Sequence, residues 1–337
     1  MDPRTSNDPA PVPGSGQAAT DRIDRLVTRT DLLGAPVCVG LDPVWERLPL
    51  SLRQRETDPC AAIERFCDGV IEAVAELVPA VKVQSACFER YGSIGFGVLE
   101  RVIDRARLAG LWTVLDAKRG DIGLSASHYA AGARAMGADA ITANPYPGVG
   151  TLEPFLEAGL VVFALVRTSN PEGEGIQRAR VHVADPPIES GATGTPSRSP
   201  GTSDTGSATD AGTVAELIAA ALAELGRSWM GRCGVSAVGA VVGATHPSEG
   251  RSLRERMPEQ PILIPGFGAQ GGRLEGVKTL LRSARNGPKG VLVTASRSVI
   301  YPSSDPSDRP GTTEKDWSAP ITEAARRMVA DVAEGLR

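Results

Sequence analysis

The run Val114-Leu115-Asp116-Ala117-Lys118-Arg119-Gly120-Asp121-Ile122 gathers a carboxylate, an ammonium and a second carboxylate at the end of an apolar stretch. Those are the parts of a general acid whose charge is set by its neighbours. Side chains two apart on a strand share a face, so Asp116 and Lys118 point the same way for as long as the backbone stays extended. Gly120 then permits a turn that returns Asp121 toward them. Residues 111–115 read as a buried strand, and charges massed at such a strand's end are costly unless paired or used. From this stretch alone, a satisfied ion pair is as good a reading as a catalytic group.

A second constellation is Gly266-Phe267-Gly268-Ala269-Gln270-Gly271-Gly272, placed after an apolar strand and before a helix starting near Arg273. It contains G-x-G-x-x-G, a weak signal when alone. A dinucleotide fold expects an acidic residue after the next strand, where this chain has Ala295-Ser296-Arg297. The same physics has another use. Backbone amides such as those of Gly268 and Gly271, with a helix N-terminus behind them, make an anion site, and Arg297 adds a planar donor fork. His128, His182 and His246 are too scattered for a metal triad, and His246 reads as a loop residue. No Ser-His-Asp or Cys-His arrangement supplies nucleophilic acyl chemistry, and neither a metal nor a cofactor is expected.

The elements that must hold these residues follow an alternating rhythm. Short apolar strands are expected at 37–41, 80–84, 111–115, 139–143, 161–166, 237–243, 261–265 and 290–294, each followed by a helical pattern. In the helix expected over 59–77, Ile63, Phe66, Cys67, Val70, Ile71 and Val74 fall on one face. This pattern predicts an α/β chain folded as a (β/α)₈ TIM barrel rather than an open sheet. The polar residues support it: Asp42, Lys82, Gln84, Asp116, Lys118, Asn144, residues 167–170, Thr245, His246, Gln270 and Arg297 fall at or just past C-terminal strand ends. A barrel builds its active site on that face, with phosphate commonly held between the seventh and eighth loops.

Composition bounds the alternatives. The 337 residues are 41% hydrophobic and 23% charged, enough to bury a full core. A net charge of -4 and a pI near 5.6 give no support for nucleic-acid or anionic-membrane partners, and no apolar run approaches the roughly 20 residues of a membrane helix. Cys38, Cys60, Cys67, Cys87 and Cys233 form no C-x-x-C pair, which suits a reducing cytoplasm. Residues 1–20 read as a disordered tail and 21–337 as one barrel domain. Residues 186–212, built of Gly, Ser, Thr, Pro and Asp with Ile188 as the sole large apolar residue, read as a disordered insertion after strand five and an inert tether. The same reading applies to 303–313.

The ordered series Val39-Gly40-Leu41-Asp42, Val81-Lys82-Val83-Gln84, Asp116-Ala117-Lys118-Arg119-Gly120-Asp121-Ile122, Thr142-Ala143-Asn144-Pro145-Tyr146-Pro147-Gly148, Arg167-Thr168-Ser169-Asn170-Pro171, the glycine loop and Ala295-Ser296-Arg297 resembles the orotidine 5'-phosphate decarboxylase family, in its longer bacterial type 2 subfamily. The resemblance runs from about Val37 to Tyr301. It implies a cofactor-free homodimer that converts orotidine 5'-monophosphate to uridine 5'-monophosphate (UMP) and carbon dioxide in pyrimidine synthesis. On that resemblance Lys118 protonates C6 of the ring, Asp116 is the carboxylate beside it, and Asp121 reaches into the neighbouring subunit's site. Asp42 and Lys82 hold the ribose hydroxyls, Lys82 also joining the charge network. Ser169 contacts the pyrimidine, Gln270 and Arg297 the phosphate, and Asn144 lies in a subfamily motif. The rival readings are a metal-assisted lyase acting on a sugar phosphate, an aldolase with Lys118 as Schiff-base nucleophile, and a non-catalytic nucleotide-phosphate binder.

Overall fold

The strand-helix rhythm closes on itself in the computed structural model, which describes residues 15–184, 208–267, 274–282, 290–302 and 314–336. The described strands are β1 (Val37–Leu41), β2 (Ala80–Gln84), β3 (Trp112–Arg119), β4 (Ala140–Ala143), β5 (Val161–Arg167), β6 (Arg180–Ala184), β7 (Ala208–Thr213), β8 (Val238–Val242), β9 (Ile262–Ile264) and β10 (Val291–Ala295). Eight of them form a closed barrel in the order β1-β10-β9-β8-β5-β4-β3-β2. All the barrel pairs are parallel, and Val39 stands opposite both Val81 and Ala295 where β1 closes the ring. The (β/α)₈ expectation is therefore met, with every barrel strand within a few residues of its expected place.

Val, Ile, Leu and Ala dominate these strands because parallel barrel strands are covered on both faces. β1, β8 and β10 are buried along their whole length. The helix expected over 59–77 is Pro59–Val74, capped by Asp58, whose side chain accepts from the Cys60 and Ala61 amides. Ile63, Phe66, Cys67, Val70, Ile71 and Val74 are all buried on its inner face. No described helix is long and apolar enough to cross a membrane.

Two expectations about irregular segments need correction. Residues 15–20, read as part of a disordered tail, open the helix Ser15–Leu33, in which Ala19 and Ile23 are fully buried. This helix lies at the N-terminal ends of the strands. Arg22 pairs with Asp139 at 3.3 Å just ahead of β4, and the Trp112 indole donates to the Arg22 carbonyl at 3.1 Å. A tail poor in apolar residues is thus continuous with a helix that needs only a narrow buried stripe. The second correction concerns the insertion. Residues 208–212 belong to β7, which pairs antiparallel with β6, Arg180 opposite Thr213 and Ala184 opposite Ala208. Backbone hydrogen bonds make that ribbon, so its small polar composition gave no signal of it. Residues 186–207 and 303–313 lie outside the described residues.

Candidate active site

Asp116 sits near the end of β3 with 6% of its surface exposed, and both its oxygens are taken. Oδ2 accepts from Lys82 Nζ at 2.7 Å and from Gln84 Nε2 at 3.2 Å. Oδ1 accepts from Lys118 Nζ at 2.6 Å and from the Thr142 hydroxyl at 2.8 Å. Lys82 Nζ also stands 3.4 Å from Asp42 Oδ1. The result is an alternating row, Asp42, Lys82, Asp116, Lys118, drawn from the ends of three adjacent strands. The expected meeting of Asp116 and Lys118 holds, but simple strand alternation is not its cause. Between Leu115 and Arg119 the chain advances four residues while β4 advances two, from Ile141 to Ala143. Lys118 occupies the left-handed region with φ of 47°, a conformation that costs a non-glycine residue energy and recurs at functional sites. Thr142 secures it: its oxygen accepts from the Lys118 amide at 3.0 Å while its hydroxyl donates to Asp116.

Charges this close set one another's ionisation. Burial alone would push Asp116 up, but Lys82 and Lys118 outweigh it and hold the carboxyl down at about 2. Burial would likewise lower Lys82, yet Asp116 and Asp42 raise its pKa above the ordinary value. Asp116 is therefore an anion and Lys82 a cation throughout the neutral range. Lys118 differs in being open: its side chain is 45% exposed, against 10% for Lys82. One ammonium is built into the wall, and the other faces the cavity.

That cavity has a volume of about 460 Å³, within the range of small-molecule sites. Asp42, Lys82, Asp116, Lys118, Ser169 and Arg297 all line it. Arg297 follows β10, three places from β3 round the barrel. Gly40 allows the close approach of the β1 and β10 ends, since a Cβ there would meet Ser296 Cβ at 2.8 Å. Other residues stand elsewhere. Asn144 is exposed and does not line the cavity: its Oδ1 accepts from the Tyr146 amide at 3.1 Å, an Asx-type turn that shapes the loop. Asp121 is not among the cavity-lining residues, and no ion pair joins it to Lys118 among the described residues; its Oδ1 accepts from the Ile122 amide at 2.8 Å. Gln270, Gly268 and Gly271 lie outside the described residues. Thr142, Gln84 and Gln177 also line the cavity. Gln84 was visible as a polar strand end, whereas a threonine in β4 and a glutamine ten residues past β5 carry no local signal of their contacts.

A closed parallel barrel with interleaved lysines and aspartates at its C-terminal face, and an arginine in the same cavity, defines an enzyme site for a small anionic molecule. The sequence profile of the Orotidine 5'-phosphate decarboxylase / HUMPS family matches residues 35–192. Orotidine 5'-phosphate decarboxylase of Rhodopirellula baltica is 35% identical over 91% of this chain and 96% of its own length. That of Nocardioides sp. is 38% identical over 79% of this chain and 86% of its own. Among solved structures, OMP decarboxylase of Leishmania donovani superposes with a TM-score of 0.67 at 28% identity, covering 94% of this chain and 98% of that one. The chain belongs to the orotidine 5'-phosphate decarboxylase family.

Proposed function

We propose that this chain decarboxylates orotidine 5'-monophosphate to UMP and carbon dioxide in pyrimidine synthesis, in the cytoplasm, with Lys118 as the proton donor. The observation that carries the reading is the Asp42, Lys82, Asp116, Lys118 row, in which the last ammonium alone is substantially open to the cavity. Breaking the bond between C6 and the carboxylate leaves its electron pair in a localised orbital on C6 as carbon dioxide departs. Preorganised positive charge is what stabilises such an anion. The Lys118 ammonium then gives its proton to C6, forming UMP, and recovers one from solvent. Asp116 aims that ammonium through the 2.6 Å contact at Oδ1, and Lys82 holds the other carboxylate oxygen at 2.7 Å.

The remaining assignments follow the family resemblance, supported for Asp42, Lys82, Ser169 and Arg297 by their place on the cavity wall. Asp42 and Lys82 hold the ribose hydroxyls, Ser169 the pyrimidine, and Arg297 the phosphate together with Gln270 and the Gly268 and Gly271 amides. Binding energy from the phosphate, remote from C6, orients the ring for reaction. Asp121 completes the site of a second copy in a homodimer. In support, Ile122 and Leu124 beside it are 61% and 62% exposed, and Tyr146 on the neighbouring loop is 82% exposed, an apolar surface suited to burial against another chain. The test is to incubate purified protein with orotidine 5'-monophosphate and excess EDTA and follow UMP and carbon dioxide. Equal amounts of the two products support the reading; activity abolished by EDTA and restored by magnesium would favour metal-assisted chemistry.

A further inference from the structure

The loop that carries Ser169 is held by a carboxylate from a different part of the barrel. Arg167, at the end of β5, has a side chain only 4% exposed, and its Nε donates to Glu249 Oε2 at 2.8 Å. Glu249 stands on the helix Pro247–Arg256 that follows β8. Its other oxygen, Oε1, pairs with Arg178 Nε at 3.1 Å. One carboxylate therefore grips the residue where the loop leaves the barrel and a residue where it ends. Within the loop, Gln177 closes the ring: Oε1 accepts from the Thr168 amide at 3.0 Å, and Nε2 donates to the Thr168 hydroxyl at 2.9 Å. Arg167 Nη1 donates to the same Gln177 oxygen at 3.3 Å and to the Thr168 carbonyl at 3.1 Å. Ser169 itself rests on Gly243, where an added Cβ would meet its Cα and Cβ at 3.2 Å.

We infer that Glu249 is a positioning residue for the base-binding half of the site: by holding both stems of the 168–177 loop through Arg167 and Arg178, it fixes where Ser169 meets the pyrimidine. The inference rests on reading the cavity as an orotidine 5'-monophosphate site. A polar loop of this kind buries little apolar surface, so its order depends on charge-assisted hydrogen bonds. Arg167 is buried, so removing Glu249 takes away the shorter of its two carboxylate pairs, leaves it only Glu174 Oε1 at 3.4 Å, itself part of the same loop, and loosens the segment fastened to it. The loop touches the base side of a ligand, whereas Arg297, which takes the phosphate, hangs from β10 and shares none of these contacts.

The experiment compares calorimetric binding of UMP and of ribose 5-phosphate, which lacks the base, to the wild type, Glu249→Ala and Glu249→Gln. Glu249→Ala is expected to weaken UMP about tenfold while ribose 5-phosphate changes less than about twofold. Glu249→Gln, which keeps the volume and one acceptor, should fall between, at about threefold, and carries the test if the alanine variant does not fold. In turnover, KM for orotidine 5'-monophosphate should rise further than kcat falls. Unchanged UMP binding, or equal losses for both ligands, would overturn the inference. Because titration needs no turnover, that failure is separate from a failure of the wild type to decarboxylate.

Discussion

Replacing Asp116 by Asn would remove the negative charge on which two ammoniums converge. Lys82, buried and left with Asp42 alone at 3.4 Å, would lose its stronger partner, and breaking a buried pair this way costs about 3–5 kcal/mol. We expect Asp116→Asn to unfold at lower urea concentration and to lose decarboxylation. The pH dependence follows from the same contacts. Asp116 is held down at about 2 in the folded chain, below the roughly 3.9 of an unfolded aspartate. Its contribution is therefore full above about pH 4 and lost as pH falls through about 2. Lys82 is raised above its ordinary 10.5, so its contribution is full below that value and lost as pH climbs past it. Urea midpoints across acid pH should show the acid decline in the wild type and a flatter limb in Asp116→Asn. These four charged residues were legible in the sequence because each lies in or just past the C-terminal part of an apolar strand, where an unpaired charge would be too costly to keep. Thr142 was not, because its value lies in a contact between β3 and β4.

At the scale of elements, the site depends on strand ends that approach unusually closely. Gly40 is the clearest case. A Cβ there would press on Ser296 Cβ at 2.8 Å, and Ser296 precedes Arg297. Gly40→Ala is expected to cost about 1–3 kcal/mol in denaturant unfolding through overpacking. It should also raise KM for the phosphorylated substrate as Arg297 is displaced. The barrel strands were legible because apolar runs of strand length recur with helical patterns between them. The break in β3 was not, since a residue with φ of 47° at Lys118 is a non-local outcome: the β4 contact through Thr142 selects it against the lysine's own preference. The β6–β7 ribbon escaped for the opposite reason, its pairing being made by backbone rather than by side chains.

For the whole molecule, one chain supplies every charged residue of the row but leaves Asp121 turned to its own Ile122 amide. If Asp121 serves a second copy, mixing inactive Lys118→Ala protomers with inactive Asp121→Asn protomers should restore activity, because one site of each mixed dimer is intact. No recovery despite confirmed subunit exchange would return Asp121 to its own chain. Its place across an interface rested on family resemblance alone, as a sequence records the residues beside Asp121 but not a second copy. The central claim is that the exposed ammonium at the end of the charge row carries the chemistry. It is tested most directly by a spectrophotometric decarboxylation assay on orotidine 5'-monophosphate, with wild type and Lys118→Ala side by side and UMP binding measured on both. The wild type should turn over, while Lys118→Ala should bind UMP yet lose about 10⁴-fold in kcat, the combined worth of a proton donor and a preorganised charge. An inactive wild type, or an alanine variant with full activity, would contradict it.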